Sequence, residues 1–187
     1  AGNLTASTSS VCHGTNQGTI MLADHVGNVV RWESSTNGAI WTSINNTTTT
    51  LNFTNLTKAT MYRAVVKSGA CSEAITDIVF VSVTQPTVPG TLTASVSEVC
   101  AGTNAGTLTL SGKTGDIVQW EESTDGTSWT VIAHSASALE FTNLTTSKKY
   151  RVLVKNGVCS SAYTQEVSIT VNPLPAATIT PSGATTF

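Results

Sequence analysis

Short stretches in which apolar and polar residues alternate follow one another along the chain, separated by turn-forming residues. Alternation with a period of two is typical of β-strands with one face in a core and the other in solvent. No segment shows a competing helical periodicity. The pattern therefore predicts an all-β protein, and seven strands in about 85 residues fit an immunoglobulin-like β-sandwich. The strands predicted in the first half of the chain are Leu4–Ser7, Thr19–Leu22, Val29–Glu33, Trp41–Ile44, Leu51–Thr54, Met61–Lys67 and Ile75–Val83.

The alternation also predicts which side chains form the core. On the third strand, Val30 and Trp32 point to one face and Glu33 to the other. Tyr62 opens the sixth strand, where a tyrosine corner lies in this fold. The stretch "NLTKATMYRAVV" around it also resembles the corresponding segment of fibronectin III-like domains. Trp32 and Tyr62 are therefore predicted core residues. Outward-facing Glu33 and Arg63 lie on neighbouring strands and predict a cross-strand ion pair, which at a surface contributes about 0–1 kcal/mol.

The whole pattern returns after 88 residues without a gap. This shift superimposes the following pairs: Cys12 on Cys100, Trp32 on Trp120, Trp41 on Trp129, Tyr62 on Tyr150, and Cys71 on Cys159. The period suits a small β-domain rather than a solenoid unit. The repeat predicts one domain over 1–86, a second over 87–175, and a linker with the start of a truncated third repeat over 176–187. It also makes Trp120 and Tyr150 core residues and pairs Glu121 with Arg151.

Four cysteines occur in two pairs with the same separation of 59 residues. Equal gaps in successive copies predict one disulfide per domain, Cys12–Cys71 and Cys100–Cys159, each holding one end of a sandwich. Structural disulfides are typical of oxidising compartments such as the periplasm or the cell surface. Zinc is the alternative, but neither Cys-x-x-Cys nor a suitable histidine spacing accompanies these residues.

The hairpin that contains the second tryptophan of each copy is the candidate for binding. The stretches "WESSTNGAIWTSI" and "WEESTDGTSWTVI" carry Asn-Gly and Asp-Gly turns between two strands. The first tryptophan of each belongs to the core. Trp41 and Trp129 are predicted to cover an edge of the sandwich and, if exposed, to stack on a sugar ring.

Composition argues against several classes of function. The net charge is −2 with only nine Lys and Arg, so no nucleic-acid partner is expected. No apolar run reaches the roughly 18 residues of a membrane span, so no membrane insertion is expected. None of the three histidines recurs under the 88-residue shift, and adjacent Glu121 and Glu122 point to opposite faces of a strand. We therefore expect no catalytic residues, no metal site, no cofactor and no enzymatic activity.

The recurring motifs resemble a known class of repeat. They are "VCxGTNxGT", a Trp-Glu pair followed by a second Trp, "FTNLT", and a Tyr-Arg strand that ends before Gly-x-Cys-Ser. The chain resembles the immunoglobulin-like repeats of the very large SprB-like surface adhesins of gliding bacteria. That resemblance implies export by the type IX secretion system and attachment at the outer membrane. It further implies a filament of many such units that moves along the cell during gliding.

Two hypotheses of function follow. In the first, the chain is a structural spacer or stalk of a repetitive cell-surface adhesin, and its partners are neighbouring repeats of the same chain. In the alternative, each repeat binds carbohydrate or another surface, with polysaccharide or the substratum as partner.

Overall fold

The computed structural model describes residues 2–176 of the 187-residue chain, and the predicted start of a third repeat lies almost wholly outside that range. Over the described residues all regular secondary structure is β-strand, which confirms the predicted all-β class. The strands of the first copy are β1 (Asn3–Ala6), β2 (Ser10–Cys12), β3 (Gln17–Ala23), β4 (Asn28–Ser35), β5 (Thr42–Ile44), β6 (Thr50–Thr54), β7 (Thr60–Lys67), β8 (Ala74–Ile75) and β9 (Val79–Thr84). Those of the second copy are β10 (Thr91–Ala94), β11 (Glu98–Cys100), β12 (Ala105–Ser111), β13 (Asp116–Ser123), β14 (Thr130–Ile132), β15 (Ala138–Thr142), β16 (Lys148–Lys155), β17 (Ala162–Tyr163) and β18 (Val167–Asn172).

Each copy of the repeat forms two sheets. In the first copy one sheet has the order β1-β3-β6, and the other has the order β2-β9-β7-β4-β5 with β8 attached to β7. In the second copy the orders are β10-β12-β15 and β11-β18-β16-β13-β14, with β17 attached to β16. In the first copy neighbouring strands are antiparallel except for β2 with β9, which are parallel, and β11 pairs in parallel with β18 in the second copy. This is the predicted two-sheet sandwich, present twice.

The chain divides into two compact units whose limits do not follow the sequence repeat. The first unit comprises Ala1–Val88, Thr114–Asp116 and Lys155–Ala162. The second comprises Pro89–Lys113, Ile117–Val154 and the chain from Tyr163 onward. Two short segments of the second sequence copy therefore belong to the first compact unit.

A buried tryptophan lies at the centre of each core. Trp32 has no exposed surface, and its indole N–H donates a hydrogen bond of 2.9 Å to the carbonyl of Thr48. Trp120 is equally buried and donates to the carbonyl of Ala136 at 3.1 Å. A buried indole is stable in such a core because its single polar group has a partner.

The predicted tyrosines are also in the cores. Tyr62 stacks on Phe53 at a ring-centroid distance of 5.9 Å, and Tyr150 stacks on Phe141 at 6.3 Å. Burial raises the pKa of Tyr150 to about 12, with a smaller contribution from the nearby Glu122 carboxylate. The structure thus places all four predicted core residues in the two cores.

Three details of the strand prediction are wrong. A β-bulge between Val29 and Arg31 shifts the pairing with β7, so Val29 is buried where the alternation placed Val30 inward. The segment predicted as one strand, Ile75–Val83, is two strands because Thr76 turns inward and its hydroxyl accepts a hydrogen bond from the backbone N–H of Ala64 at 3.0 Å. Finally, the three-residue strand β2 was not predicted.

Gly27, immediately before β4, is required by both its backbone conformation and the space around it. Its φ is +94°, and a Cβ atom there would lie 2.4 Å from the carbonyl oxygen of Lys67 at the end of β7. Gly14 has the same φ of +94°, but nothing lies within 4 Å of its Cβ position. A substitution at Gly14 therefore introduces only the strain of a left-handed backbone, whereas one at Gly27 adds a clash with a neighbouring strand.

We predict that Gly14→Ala lowers the free energy of unfolding by about 1–2 kcal/mol through backbone strain alone. Gly27→Ala should cost about 2 kcal/mol more, because β4 and β7 must also move apart. Urea unfolding of the two variants beside the unsubstituted chain measures the difference. Equal losses for both variants would contradict the close approach of Gly27 to Lys67.

Candidate functional site

The structure contains one disulfide among its described residues, and it joins the two sequence copies. Cys12 at the end of β2 bonds to Cys159 in the turn after β16, with a Cα–Cα distance of 4.9 Å. Both residues belong to the first compact unit. Cys71 and Cys100 are exposed free thiols. The predicted pairs, Cys12–Cys71 and Cys100–Cys159, are therefore wrong, and so is the prediction of one disulfide in each domain.

The parallel pairing of β2 explains why the predicted bond cannot form. Cys12 pairs with Thr84, the last residue of β9, and β9 runs antiparallel to β7. Cys12 therefore lies at the end of the sandwich where β7 begins, near Thr60. Cys71 follows Lys67 at the other end of β7, an eight-residue strand that spans about 26 Å. A disulfide needs Cα atoms no more than about 7 Å apart.

Further contacts inside the first compact unit surround the cystine. The backbone N–H of Asn156 donates to the hydroxyl of Thr87 at 2.9 Å, and the Asn156 side-chain amide donates to the carbonyl of Gln85 at 2.8 Å. Val88 and Thr114 exchange two backbone hydrogen bonds of 2.9 and 3.2 Å. Cys159 is 2 % exposed. The turn that carries Cys159 is therefore held by the covalent bond to Cys12 and by the hydrogen bonds to Gln85 and Thr87.

A second cluster surrounds Glu33, on the face of the β4–β7 sheet. The Arg63 guanidinium lies 3.9 Å from the centre of the Trp41 ring, and its Nε donates to Glu33 at 2.7 Å. Arg31 donates to the other oxygen of Glu33 at 2.8 Å and also to Glu73 at 2.8 Å. The predicted Glu33–Arg63 pair is confirmed, but the predicted surface position is wrong, because Glu33 is only 7 % exposed.

The second copy builds the same cluster with different partners. Arg151 donates to Glu121 at 2.6 Å and lies between Trp129 and Tyr163, at 3.9 and 4.0 Å from their ring centres. The Tyr163 hydroxyl donates to the second oxygen of Glu121 at 3.0 Å, and that oxygen also accepts a hydrogen bond from Gln119. Each glutamate thus receives donors on both oxygens, although Gln119 and Tyr163 replace Arg31 and Ile75 in the second copy.

Both candidate binding tryptophans are half-buried in these clusters. One face of each ring is covered by an arginine guanidinium, an arrangement in which cation–π attraction contributes about 0.5–2 kcal/mol. The Trp41 indole N–H also donates to the carbonyl of Gly38 at 3.2 Å. The tryptophans therefore cover buried ion pairs, a role that the sequence did not reveal.

The clusters set the ionisation of the two glutamates. Burial by itself would raise the pKa of Glu33, but the hydrogen bonds from Arg63 and Arg31 outweigh it and lower the pKa below its ordinary value of 4.5. Glu121 shows the same balance between burial and the bonds from Arg151, Gln119 and Tyr163. Both groups are thus held as carboxylates at neutral pH.

The turn acids also have structural partners. Asp125 accepts hydrogen bonds from the backbone N–H groups of Ser128 and Thr127 and from the Ser123 hydroxyl, which together hold its pKa well below the usual range. In the first copy Asn37 accepts the corresponding bonds from Ala39 and Ile40. In each hairpin turn, the side chain of Asn37 or Asp125 therefore accepts hydrogen bonds from the backbone of the same turn. Over residues 2–176 no group of three or more potential metal ligands occurs.

We predict that Glu33→Gln weakens the pH dependence of stability. The folded-state pKa of Glu33 is lowered, so its contribution is present above the unfolded-state value near 4.5 and disappears as the pH falls through the lower folded-state pKa. The variant should lose about 1–3 kcal/mol at pH 7, because Arg31 and Arg63 lose a charged acceptor. At pH 3 the loss should be smaller. Chemical unfolding at both pH values measures it.

Glu98→Gln is the matched control, because Glu98 is exposed. Its free energy of unfolding should stay within about 0.5 kcal/mol of the unsubstituted chain at pH 7. If Glu33→Gln were as mild as this control at pH 7, the buried cluster would not stabilise the domain.

No helix among the described residues is long and apolar enough to span a membrane. The comparison with curated proteins gave no match. Among solved structures, a marsupial T cell receptor aligns with 96 % of this chain and 76 % of its own, at 15 % identity and a TM-score of 0.60. Fibronectin(III)-like modules of CbhA from Clostridium thermocellum align with 96 % of this chain and all of their own, at 17 % identity and a TM-score of 0.42.

An amphioxus IgVJ-C2 molecule aligns with 86 % of this chain and 99 % of its own, at 16 % identity and a TM-score of 0.46. The likeness to the T cell receptor shows an immunoglobulin-like fold and nothing beyond the fold. A family model described as "Domain of unknown function (DUF8696)" matches twice, over residues 1–85 and 88–173. The chain belongs to this family and contains two tandem copies of its domain.

Proposed function

We propose that the chain is a structural spacer: two immunoglobulin-like repeats in the stalk of a large repetitive bacterial surface adhesin that serves gliding motility and surface adhesion. The observation that carries the proposal is the Cys12–Cys159 bond, which covalently joins successive sequence copies. A domain that acts alone does not require a bond to the next copy. A segment whose purpose is to transmit force along a row of repeats gains from it directly.

The force argument follows from connectivity. When tension is applied to the two ends of the chain, it passes from Cys12 to Cys159 through the sulfur–sulfur bond. The 147-residue span between them then lies outside the force path. Hydrogen-bonded sheets yield to force long before a covalent bond does. The strands from β3 to β16 therefore cannot be pulled out into extended chain while the bond is intact, which suits a stalk.

The cystine also supports a location outside the cytoplasm, since disulfides persist in oxidising compartments. The recurring motifs that resemble SprB-like repeats support attachment at the outer membrane after export by the type IX system. In this proposal the chain's partners are neighbouring repeats, and it has no nucleic-acid partner and no membrane insertion.

We also propose that the chain is not an enzyme. A carboxyl group that acts as a general acid or base needs a free oxygen and a pKa near the working pH. Glu33 and Glu121 each receive hydrogen bonds on both oxygens, and Asp125 is committed to its own turn. In all three the pKa is lowered, which favours a permanent carboxylate.

A second candidate function is binding of a surface polysaccharide through Trp41 and Trp129. The observation that favours it is that neither ring is fully buried. Aromatic side chains with one accessible face can stack on the apolar face of a sugar ring. The covered faces, which hold Arg63 and Arg151, would position the rings for such contact.

One experiment in the bacterium that encodes the chain separates these functions. One strain carries a deletion of residues 1–176, which removes both copies in phase, and a second carries Trp41→Ala with Trp129→Ala. Antibody labelling of intact cells reports surface display, and attachment to glass and gliding speed report function. We expect surface display in both strains. Attachment should fall in the deletion strain and remain unchanged in the tryptophan strain.

Labelling that appears only after permeabilisation would contradict a surface location. Loss of attachment in the tryptophan strain, with display intact, would replace the spacer function by the binding function. Unchanged attachment and gliding in the deletion strain would refute both.

A further inference from the structure

We infer that Cys71 and Cys100 each form a disulfide of the same kind as Cys12–Cys159, and that each bonds to a different neighbouring copy of this domain. Cys100 is equivalent to Cys12 and would bond to the Cys159-type cysteine of the copy that follows. Cys71 is equivalent to Cys159 and would bond to the Cys12-type cysteine of the copy that precedes. The Cys12–Cys159 bond is then one of a series of inter-repeat disulfides along a row of repeats.

The surroundings of Cys100 reproduce those of Cys12. Each cysteine ends a three-residue strand that pairs in parallel with the last strand of its copy, Cys12 opposite Thr84 and Cys100 opposite Asn172. The next backbone N–H donates to that same opposite residue in both copies, at 2.8 Å from His13 and 2.9 Å from Ala101. The same strand pairing and the same backbone hydrogen bond are thus present in a copy whose thiol is free.

An asparagine fixes the carbonyl of each of these cysteines. The Asn16 amide donates to Cys12 at 2.7 Å, and the Asn104 amide donates to Cys100 at 2.8 Å. Both asparagines also accept from and donate to the backbone of the "NLT" turn, at Leu56 and Leu144. Cys100 is therefore held in the backbone geometry that Cys12 has when bonded.

The surroundings of Cys71 likewise reproduce those of Cys159. Each cysteine closes a four-residue turn, with its N–H donating to Ser68 at 3.0 Å or to Asn156 at 2.9 Å. The glycine after the first turn residue has a positive φ in both, +53° at Gly69 and +49° at Gly157. Cys159 is buried and disulfide-bonded, whereas Cys71, in the equivalent turn of the first copy, is exposed and free.

The partner is identified by the direction of the bond. A Cys12-type residue lies at the end of its sandwich where the last strand leaves, and a Cys71-type residue lies at the other end. Cys71 and Cys12 of one copy are therefore separated by the length of β7, about 26 Å, and a bond within the copy is excluded. A cysteine equivalent to Cys12 can therefore bond to one equivalent to Cys71 only in the following copy, as Cys12 bonds to Cys159.

Formation of each inter-repeat disulfide is an oxidation that consumes another disulfide as the oxidant. The thiols of Cys100 and of the following copy's cysteine each lose one hydrogen as the sulfur–sulfur bond forms. The two electrons and two protons pass to a small disulfide such as oxidised glutathione or to a thiol–disulfide oxidoreductase, which becomes two thiols.

The test is an extended chain in which a second copy of residues 88–175 follows Pro175, refolded in a glutathione redox buffer. Thiol alkylation and peptide mapping without reduction identify the bonds. We expect Cys12–Cys159 as before, one new bond from Cys100 to the added copy of Cys159, and an unchanged number of two free thiols. Those thiols should be Cys71 and the added copy of Cys100.

Cys100→Ser in the extended chain is the matched control, and it should leave the added copy of Cys159 as a free thiol without affecting Cys12–Cys159. If Cys12–Cys159 forms in the extended chain but Cys100 remains free, or bonds to Cys71, the proposed series of inter-repeat disulfides is refuted. The spacer function would survive that result, because it rests on the Cys12–Cys159 bond alone.

Discussion

The parallel pairing of β2 with β9 is the constraint on which the rest of the arrangement depends. Three residues, Ser10–Cys12, leave the first sheet and join the edge of the second. Because they run parallel to the last strand of the copy, they point toward the end where the chain leaves that copy. A cysteine at their end is thereby placed beside the linker and not beside the turn that carries Cys71. An antiparallel strand at the same edge would have reversed this outcome.

Once Cys12 is at the exit end, its bond with Cys159 has both an energetic and a mechanical consequence. In the chain-entropy model, closing a loop of 147 residues stabilises the folded state by about 5 kcal/mol. An exposed ion pair contributes about 0–1 kcal/mol. The Glu33 and Glu121 clusters are better than exposed pairs, because tryptophan and arginine shield them from water. They stabilise each sheet by itself, whereas the cystine links the sequence copies.

Alternation and the 88-residue repeat were sufficient to predict the fold class, the buried Trp32 and Trp120, and the partners Glu33 and Arg63. These features depend on neighbouring strands and on side chains two residues apart, which the sequence shows directly. The burial of Glu33 was missed because it depends on how Trp41 folds back over Arg63 from the far side of a hairpin. The bulge at Val29 reverses the facing of one residue, and a period of two cannot signal it.

The disulfide was missed for a different reason. A spacing of 59 residues fits a bond within each copy, but adding one period of 88 gives the 147-residue separation of Cys12 and Cys159 equally well. Periodicity alone cannot choose between the two. The choice is made by β2, which is too short for alternation to reveal. The exposed thiols of Cys71 and Cys100 are consistent with a repeat whose bonds always reach into the adjoining copy.

Single-molecule pulling on the two ends of the chain tests most directly whether force bypasses the folded repeats. In the oxidised chain the residues between Cys12 and Cys159 should contribute no extension at forces that unfold β-sandwiches. Adding a reductant should release them and lengthen the unfolded chain by about 500 Å, from 147 residues at about 3.5 Å each. The same full extension with and without reductant would contradict the account.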